Sequence, residues 1–224
     1  MGFMSDIHKT KVALLDYGIG NILCIQRAFE YCGADVTILS KPDSLQNFTH
    51  IVLPGVGAFQ TGMNNLESLG YIDFIYEAVK LGLPLMGICL GMQLLFESGM
   101  EGGYLKGLGI FSGQIIHIPE YNKKNERVKL PHIGWNKLII AQNNYDRPHI
   151  VNGLNESEYV YFDHTYYANI SDPNLLVAET EHKTIFLPAI VQQNKIVGCQ
   201  FHPEKSGKAG LKIIENFCNF TLTS

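Results

Sequence analysis

Leu83-Pro84-Leu85-Met86-Gly87-Ile88-Cys89-Leu90-Gly91-Met92-Gln93 reads as an apolar strand that breaks at a Gly-x-Cys-x-Gly turn and resumes with helix-forming residues. A side chain on so sharp a strand-to-helix turn needs small neighbours in order to stand clear of the backbone. The helix that follows aims its N–H groups and positive dipole end at the sulfur. Both effects favour thiolate over thiol, and thiolate is the reactive form.

Working outward, the first half alternates strand and helix signals. Val12 to Tyr17 is a short apolar strand, Gly18-Ile19-Gly20 turns the chain, and Asn21 to Tyr31 carries Ile22, Ile25 and Phe29 at helical spacing. Gly33 ends that helix. Asp35–Leu39 and His50–Leu53 are further strands, Tyr71–Leu81 is a helix with Ile72, Ile75, Tyr76 and Val79 on one side, and Pro84–Ile88 is the fourth strand. Strands this apolar, separated by helices, predict an α/β fold whose mostly parallel central sheet is covered on both faces. After Gly102 the signal becomes strand-like, at Gly109–Ile118, Trp135–Ile140, Tyr159–His164, Leu175–Thr180, Thr184–Gln192 and Ile196–His202. These segments predict a mixed or antiparallel extension of the same sheet. Ser206 is expected to cap a last helix with Leu211, Ile214, Phe217 and Cys218 as its buried stripe. Glu120–Lys129 and Gln142–Asp146 read as solvated loops, neither with the length or bias of an interdomain linker. One domain over residues 11–224 is expected, after a flexible leader over residues 1–10.

Bulk properties exclude several classes. With 46% hydrophobic residues in 224, the core is ample for independent folding. Lys+Arg 17 against Asp+Glu 21, with no basic run, argues against a nucleic-acid partner. Cys24, Cys32, Cys89, Cys199 and Cys218 are odd in number and lack a C-x-x-C pair, which fits a reducing cytoplasm better than zinc or disulfides. The apolar stretch Leu81–Phe96 is interrupted by glycines and Pro84 and falls short of the ~20 residues a membrane span requires, so no membrane is implied. The start of the chain has neither a basic n-region nor an apolar h-region.

Far downstream, Gln200-Phe201-His202-Pro203-Glu204 follows the apolar run Ile196–Cys199. Extended backbone puts residues two apart on one face, so Glu204 is placed to hold the ring of His202, and Pro203 biases His202 toward that geometry. Cys89, His202 and Glu204 together compose an acyl-transfer triad. The other four cysteines have no comparable setting and are better explained by core packing. Acyl transfer also needs donors for the developing oxyanion. The Leu90 N–H follows the nucleophile directly. A second donor is expected from Leu53-Pro54-Gly55-Val56-Gly57-Ala58-Phe59, at Val56 or Gly57, where paired glycines let an amide approach closely. Gly18-Ile19-Gly20-Asn21-Ile22-Leu23 fails as a dinucleotide fingerprint because Leu23 stands where Gly or Ala is required. Neither a phosphate loop nor H-E-x-x-H occurs, so no cofactor and no metal are expected.

With these residues assembled, the chain resembles the class I glutamine amidotransferases from Lys11 to Phe220. Within that family it is most similar to the branch that forms the glutaminase subunits of imidazole glycerol phosphate synthase. The carrying motifs are Asp16-Tyr17-Gly18-Ile19-Gly20-Asn21, the Leu53–Phe59 run, Gly87-Ile88-Cys89-Leu90-Gly91-Met92-Gln93, Pro131-His132-Ile133-Gly134-Trp135-Asn136 and Phe201-His202-Pro203-Glu204-Lys205-Ser206-Gly207. The resemblance implies a single amidotransferase domain in which Cys89 attacks the side-chain amide of L-glutamine, His202 moves protons and Glu204 orients His202. It further implies that Gln93, Glu101 and the backbone of His164, Thr165 and Tyr166 bind the glutamine. Asp163 departs from the family, which often has an apolar residue there. The ammonia calls for a separate synthase partner, which the resemblance gives as a (β/α)8-barrel cyclase. Asn21, Trp135, Asn136 and Lys205 are candidates for that contact, and Trp135 fits the core equally well. Competing readings are an ammonia-supplying paralogue for amino-sugar formation in surface polysaccharides, a stand-alone cysteine hydrolase, and a binding module without activity.

Overall fold

The apolar periods of the first half translate directly into elements in the computed structural model, which describes residues 10–141, 148–155 and 157–220. Residues 1–9 of the expected leader and all of the expected loop at Gln142–Asp146 lie outside the described residues. In chain order the elements are β1 (Lys11–Leu15), α1 (Ile22–Tyr31), β2 (Asp35–Leu39), β3 (His50–Leu53), α2 (Phe59–Ser68), α3 (Tyr71–Lys80), β4 (Leu85–Ile88) and α4 (Leu90–Leu94). There follow β5 (Phe96–Gly99), β6 (Leu105–Lys106), β7 (Phe111–His117), β8 (His132–Lys137), β9 (Ile139–Ile140), β10 (Tyr159–His164), β11 (Tyr166–Ile170), β12 (Leu176–His182), β13 (Ile185–Gln193), β14 (Ile196–Cys199) and α5 (Gly207–Cys218).

The main sheet runs β2-β1-β3-β4-β14-β13-β12-β9. Its first five strands are parallel and the rest antiparallel. Strand alternation sorts the core into two layers: Val12 and Leu14 of β1 pack with Ile25, Phe29, Ile213 and Phe217 from α1 and α5, whereas Ala13 and Leu15 pack with Phe59, Leu66, Tyr71 and Ile75 from α2 and α3. Covered on both faces, β3 and β4 at the centre of the parallel part have the continuous apolar character the sequence showed, while β2 at the edge is partly exposed. Among the described residues no helix is long and apolar enough to cross a membrane.

Several expectations are corrected. Only the Leu176–His182, Ile185–Gln193 and Ile196–Cys199 strands and the two residues of β9 extend the main sheet; β10 pairs with β8, and β11-β7-β5-β6 form a third sheet. Helix α2 was not foreseen, because Gly62 interrupts its apolar period. That glycine lets the helix approach α4, where a Cβ would stand 2.9 Å from Leu94 Cδ1. On α3 the buried face is Tyr71, Phe74, Ile75 and Ala78, so the expected stripe is rotated and Tyr76 is exposed, its hydroxyl donating to Leu108 O at 2.7 Å. On α5, Leu211 is only partly buried while Ala209, Gly210 and Ile213 join the core. Ser206 stands at the N-cap without a capping bond; its hydroxyl donates to His202 O and accepts from Tyr161 N–H. The segment Glu120–Lys129 is not wholly solvated, since Val128 is 3% exposed and Asn122 bonds Lys183 O and Glu126.

Strand β4 lies between β3 and β14, with Val52, Met86 and Val197 abreast. Its carboxyl end, where α/β sheets carry their sites, therefore delivers Cys89 beside the chain leaving β14. Close approach of Gly91 to Leu53 makes this possible, as a Cβ on Gly91 would drive into the Leu53 carbonyl. Gly91→Ala is expected to destabilise the fold by about 2 kcal/mol or more. An unchanged urea midpoint would show that α4 need not approach β3 so closely.

Candidate active site

Cys89 holds φ 53° and ψ −111°, a conformation a non-glycine residue adopts only when its surroundings impose it. The imposing contacts are its N–H on Cys199 O at 2.7 Å and the Gln93 N–H on its own carbonyl at 3.2 Å. Gly87 leaves no room for a side chain, since a Cβ there would lie 2.8 Å from the Gly91 carbonyl. Helix α4 has five residues rather than a long run, and β5 follows at once.

His202 is anchored by its N–H on Tyr161 O at 2.9 Å and by Ser206 Oγ on its carbonyl. Its Nδ1 meets Glu204 Oε1 at 2.8 Å, with side chains 3% and 1% exposed. Strand β14 ends at Cys199 and residues Pro203–Lys205 form a 3-10 turn, so the pair is made by a turn and not, as expected, by strand alternation. Burial opposes charging the ring, but hydrogen bonds and the negative charge of Cys89 and Glu204 outweigh it and push the His202 pKa up to about 10. Glu204 Oε2 is buried without a hydrogen-bond partner among the described residues, which leaves His202 as the side chain that the carboxylate engages.

A cavity of about 290 Å³ gathers Cys89, His202, Leu90, Val56, Gly57, Gln93, Glu101, His164, Thr165, Tyr166 and Lys205. Of the residues chosen from sequence, Glu204 stands behind His202, while Asn21, Trp135 and Asn136 are not among the lining. The Leu90 N–H, expected from the sequence to serve an oxyanion, donates to Gly55 O at 3.3 Å. The loop is held at Pro54, whose carbonyl accepts from the buried Tyr17 hydroxyl at 2.5 Å. Glu101 is no free loop acid: its Oε2 accepts from the Phe59 N–H at 2.7 Å, capping α2. The backbone carbonyl of Asp163, not its exposed side chain, is the Asp163 group facing Cys89 Sγ, at 3.9 Å.

Trp135 is 54% exposed and belongs to the surface. With Ile133 on the same side of β8, and Tyr161 and Tyr159 opposite on β10, it makes an outward apolar face. Lys205 Nζ lies over the Tyr161 ring at 5.8 Å. Asn21 is exposed, but both polar atoms of the Asn136 side chain are engaged internally, Oδ1 with His132 Nε2 and Nδ2 on Glu181 O. Sequence reasoning missed two groups here. Gln200 is fully buried beside the sulfur. His132 meets His164 at 2.9 Å, and His164 in turn meets Tyr166 O at 2.8 Å. A polar residue inside an apolar strand run, as at Gln200, was the available signal.

Residues 13–220 match the family profile of class I glutamine amidotransferases. The chain is 39% identical over 209 residues to imidazole glycerol phosphate synthase subunit HisH 1 of Legionella pneumophila (strain Lens), covering 93% of this chain and 98% of the relative. It is 42% identical to subunit HisH of Caldanaerobacter subterraneus subsp. tengcongensis, covering 92% and 96% respectively. Among solved structures, one described as a glutamine amidotransferase superposes with a TM-score of 0.69 at 19% identity, over 93% of this chain and 99% of that one. PurLQS from Thermotoga maritima superposes with a TM-score of 0.68 at 20% identity, over 94% and 98%. These two show the fold.

Burial holds His50 well below the ordinary imidazole range, at about 4, and lowers the pKa values of His132 and His164 as well. These rings are neutral when folded and basic when unfolded, so their contribution to stability is complete above about pH 6.5 and is lost as pH falls toward 4. The urea midpoint is expected to drop through that window, each histidine contributing about 1 kcal/mol per pH unit. A midpoint unchanged from pH 7 to pH 5 would contradict the buried neutral rings.

Proposed function

Because the chain belongs to the class I glutamine amidotransferase family, we propose that it hydrolyses L-glutamine at Cys89 and passes the ammonia to a separate synthase subunit. That subunit makes imidazole glycerol phosphate in histidine biosynthesis, in the cytoplasm, and the relatives bearing that subunit name across nearly their whole length support this pathway. The domain is taken to run over residues 11–224, behind a leader at 1–10. The reading rests above all on Cys89, held at a strained elbow and lining one cavity with an imidazole that Glu204 orients.

In the reaction the sulfur attacks the carboxamide carbon, a C–S bond forms, and the C–N bond breaks as His202 delivers the thiol proton to the leaving nitrogen. Water then adds to the thioester with His202 as base, releasing glutamate and restoring the thiol. The Glu204 carboxylate holds Nδ1 and stabilises the imidazolium between these transfers. Glu101 Oε1 and Gln93 Oε1 are the acceptors left to meet the substrate ammonium, since the other polar atoms of both side chains are engaged. An oxyanion has to compete with Gly55 O for the Leu90 N–H, so residues 54–57 must shift for full rate. Binding of a partner is the event suited to move them.

Ammonia released into water is protonated and lost as a nucleophile, so a partner should cover the exit. The exposed face of Ile133, Trp135 and Tyr161, flanked by Lys205 and supplemented by Asn21, suits a protein contact, and the partner is proposed to be a (β/α)8-barrel cyclase.

Cys89→Ala is expected to reduce glutamate formation by at least about 10³-fold, and Glu204→Gln by about 10² or more, both without loss of fold. Turnover of Cys89→Ala at the parental rate would overthrow the mechanism. The cyclase of histidine biosynthesis should raise the rate several-fold. Failure of that cyclase to bind, alongside stimulation by an amino-sugar synthase, would move the chain to the polysaccharide pathway.

A further inference from the structure

We infer that Gln200 is a second donor to the nucleophile: its side-chain amide N–H faces the Cys89 sulfur and stabilises the sulfur when it is anionic. Gln200 is buried, and its backbone is pinned by its N–H on Ala189 O at 2.9 Å. Parallel pairing of Cys199 with Ile88 sets Gln200 next to Cys89, one step beyond the register of β14 and β4. Its Nε2 lies 3.9 Å from Sγ, within reach of an N–H···S contact.

The orientation of the amide follows from a chain of forced assignments that starts at a backbone carbonyl. Tyr166 O only accepts, and it lies 3.1 Å from one end of the Gln93 side chain, which must therefore be Nε2. The same Nε2 lies 3.1 Å from one end of the Gln200 amide, which must then be Oε1. The other end of Gln200, directed at the sulfur, is left as the NH2 group. Gln93 is four residues beyond Cys89 on α4, so the same helix turn that presents the nucleophile presents the group that locks Gln200. Both N–H groups of Gln93 are consumed in doing so.

The remaining surroundings of the sulfur make this donor consequential. The Asp163 carbonyl, 3.9 Å away, suits a thiol and opposes an anion. The titratable groups facing Sγ are His202, with Glu204 behind it, and the buried Tyr17, whose hydroxyl is occupied on Pro54 O. Glu101 and Lys205 line the same cavity. His202 must give its proton to the leaving nitrogen, after which Gln200 is the side-chain donor that stays on the sulfur throughout.

This inference rests on Cys89 being the glutaminase nucleophile, yet it can be read at the sulfur without any turnover. The test is the pH dependence of iodoacetamide alkylation of the intact chain, followed on the Cys89 peptide by mass spectrometry. In Gln200→Leu the donor is lost, and in Gln200→Glu the bond from Gln93 is kept while an acceptor faces the sulfur. Both should raise the alkylation midpoint, Gln200→Glu the more, by about one pH unit. In Gln200→Glu, which keeps Gln93 in place, turnover of glutamine should fall about tenfold in kcat with KM within about twofold. Folded variants with the parental midpoint would overturn the inference. Should neither variant fold, a crystal structure of the unaltered chain decides, supporting the inference with Nε2 within about 4 Å of Sγ and refuting it with the amide turned away. A shifted midpoint in a chain with no glutaminase activity would sink the functional reading and leave this one standing.

Discussion

One backbone hydrogen bond carries the arrangement: Cys89 N–H to Cys199 O, 2.7 Å long, between the ends of two adjacent parallel strands. Cys89 at φ 53° is a conformation that costs about 1–3 kcal/mol for a residue with a Cβ, and it persists only if neighbours leave no alternative. Here β14 holds the N–H from one side, and the glycines at 87 and 91 let α4 fold down on β3 and β4 from the other. The same bond sets where the chain stands when it leaves β14. Gln200 comes beside the sulfur, and His202, two residues on, lines the same cavity. Strain at one residue and the convergence of its partners are thus a single geometrical fact about two strands in register.

That origin explains what was legible in the sequence. Parallel strands buried on both faces read as unbroken apolar runs, and Gly-x-Cys-x-Gly has few structural uses, so the sheet and the elbow could be anticipated from Val12 to Gly91. The pairing of His202 with Glu204 was anticipated for an incomplete reason, because it depends on the 3-10 turn that Pro203 opens and on the Ser206 hydroxyl tying that turn to Tyr161. Helix α2 was hidden because its packing relies on the absence of a side chain at Gly62, which hydropathy cannot express. The segregation of β7, β8, β10 and β11 into small sheets was equally hidden: alternation announces a strand without naming its neighbour. Gln200 escaped notice because its role is defined by Gln93 and Tyr166, far away in the chain.

Between the outward ribbon and the cavity lies an unusual proton arrangement. Tyr166 O faces His164 Nδ1, His164 Nε2 faces His132 Nδ1, and His132 Nε2 faces Asn136 Oδ1, whose amide nitrogen is committed to Glu181 O. Three contacts each need a proton, whereas two neutral imidazoles carry two. Burial nevertheless lowers the pKa of both rings, and His182, stacked on His132 at 4.2 Å, disfavours a further positive charge. One contact is therefore left without its proton while the pair is neutral. A buried network left partly satisfied in this way carries a free-energy cost.

The consequence is directional. Asn136 neighbours the exposed Trp135, and the network ends on the Tyr166 carbonyl that also orients Gln93. Gln93 in turn fixes Gln200 against the sulfur. A hydrogen-bonded path thus joins β8 to the proposed nucleophile. A second path runs from the exposed turn before α1 through Tyr17 to Pro54 and the Gly55 carbonyl that occupies the Leu90 N–H. The first path bears on the sulfur and the second on the proposed oxyanion donor, the two elements an acyl transfer needs at the same moment. Each path is a contiguous run of hydrogen bonds and covalent links, so the sulfur and the Leu90 N–H are tied to separate parts of the surface.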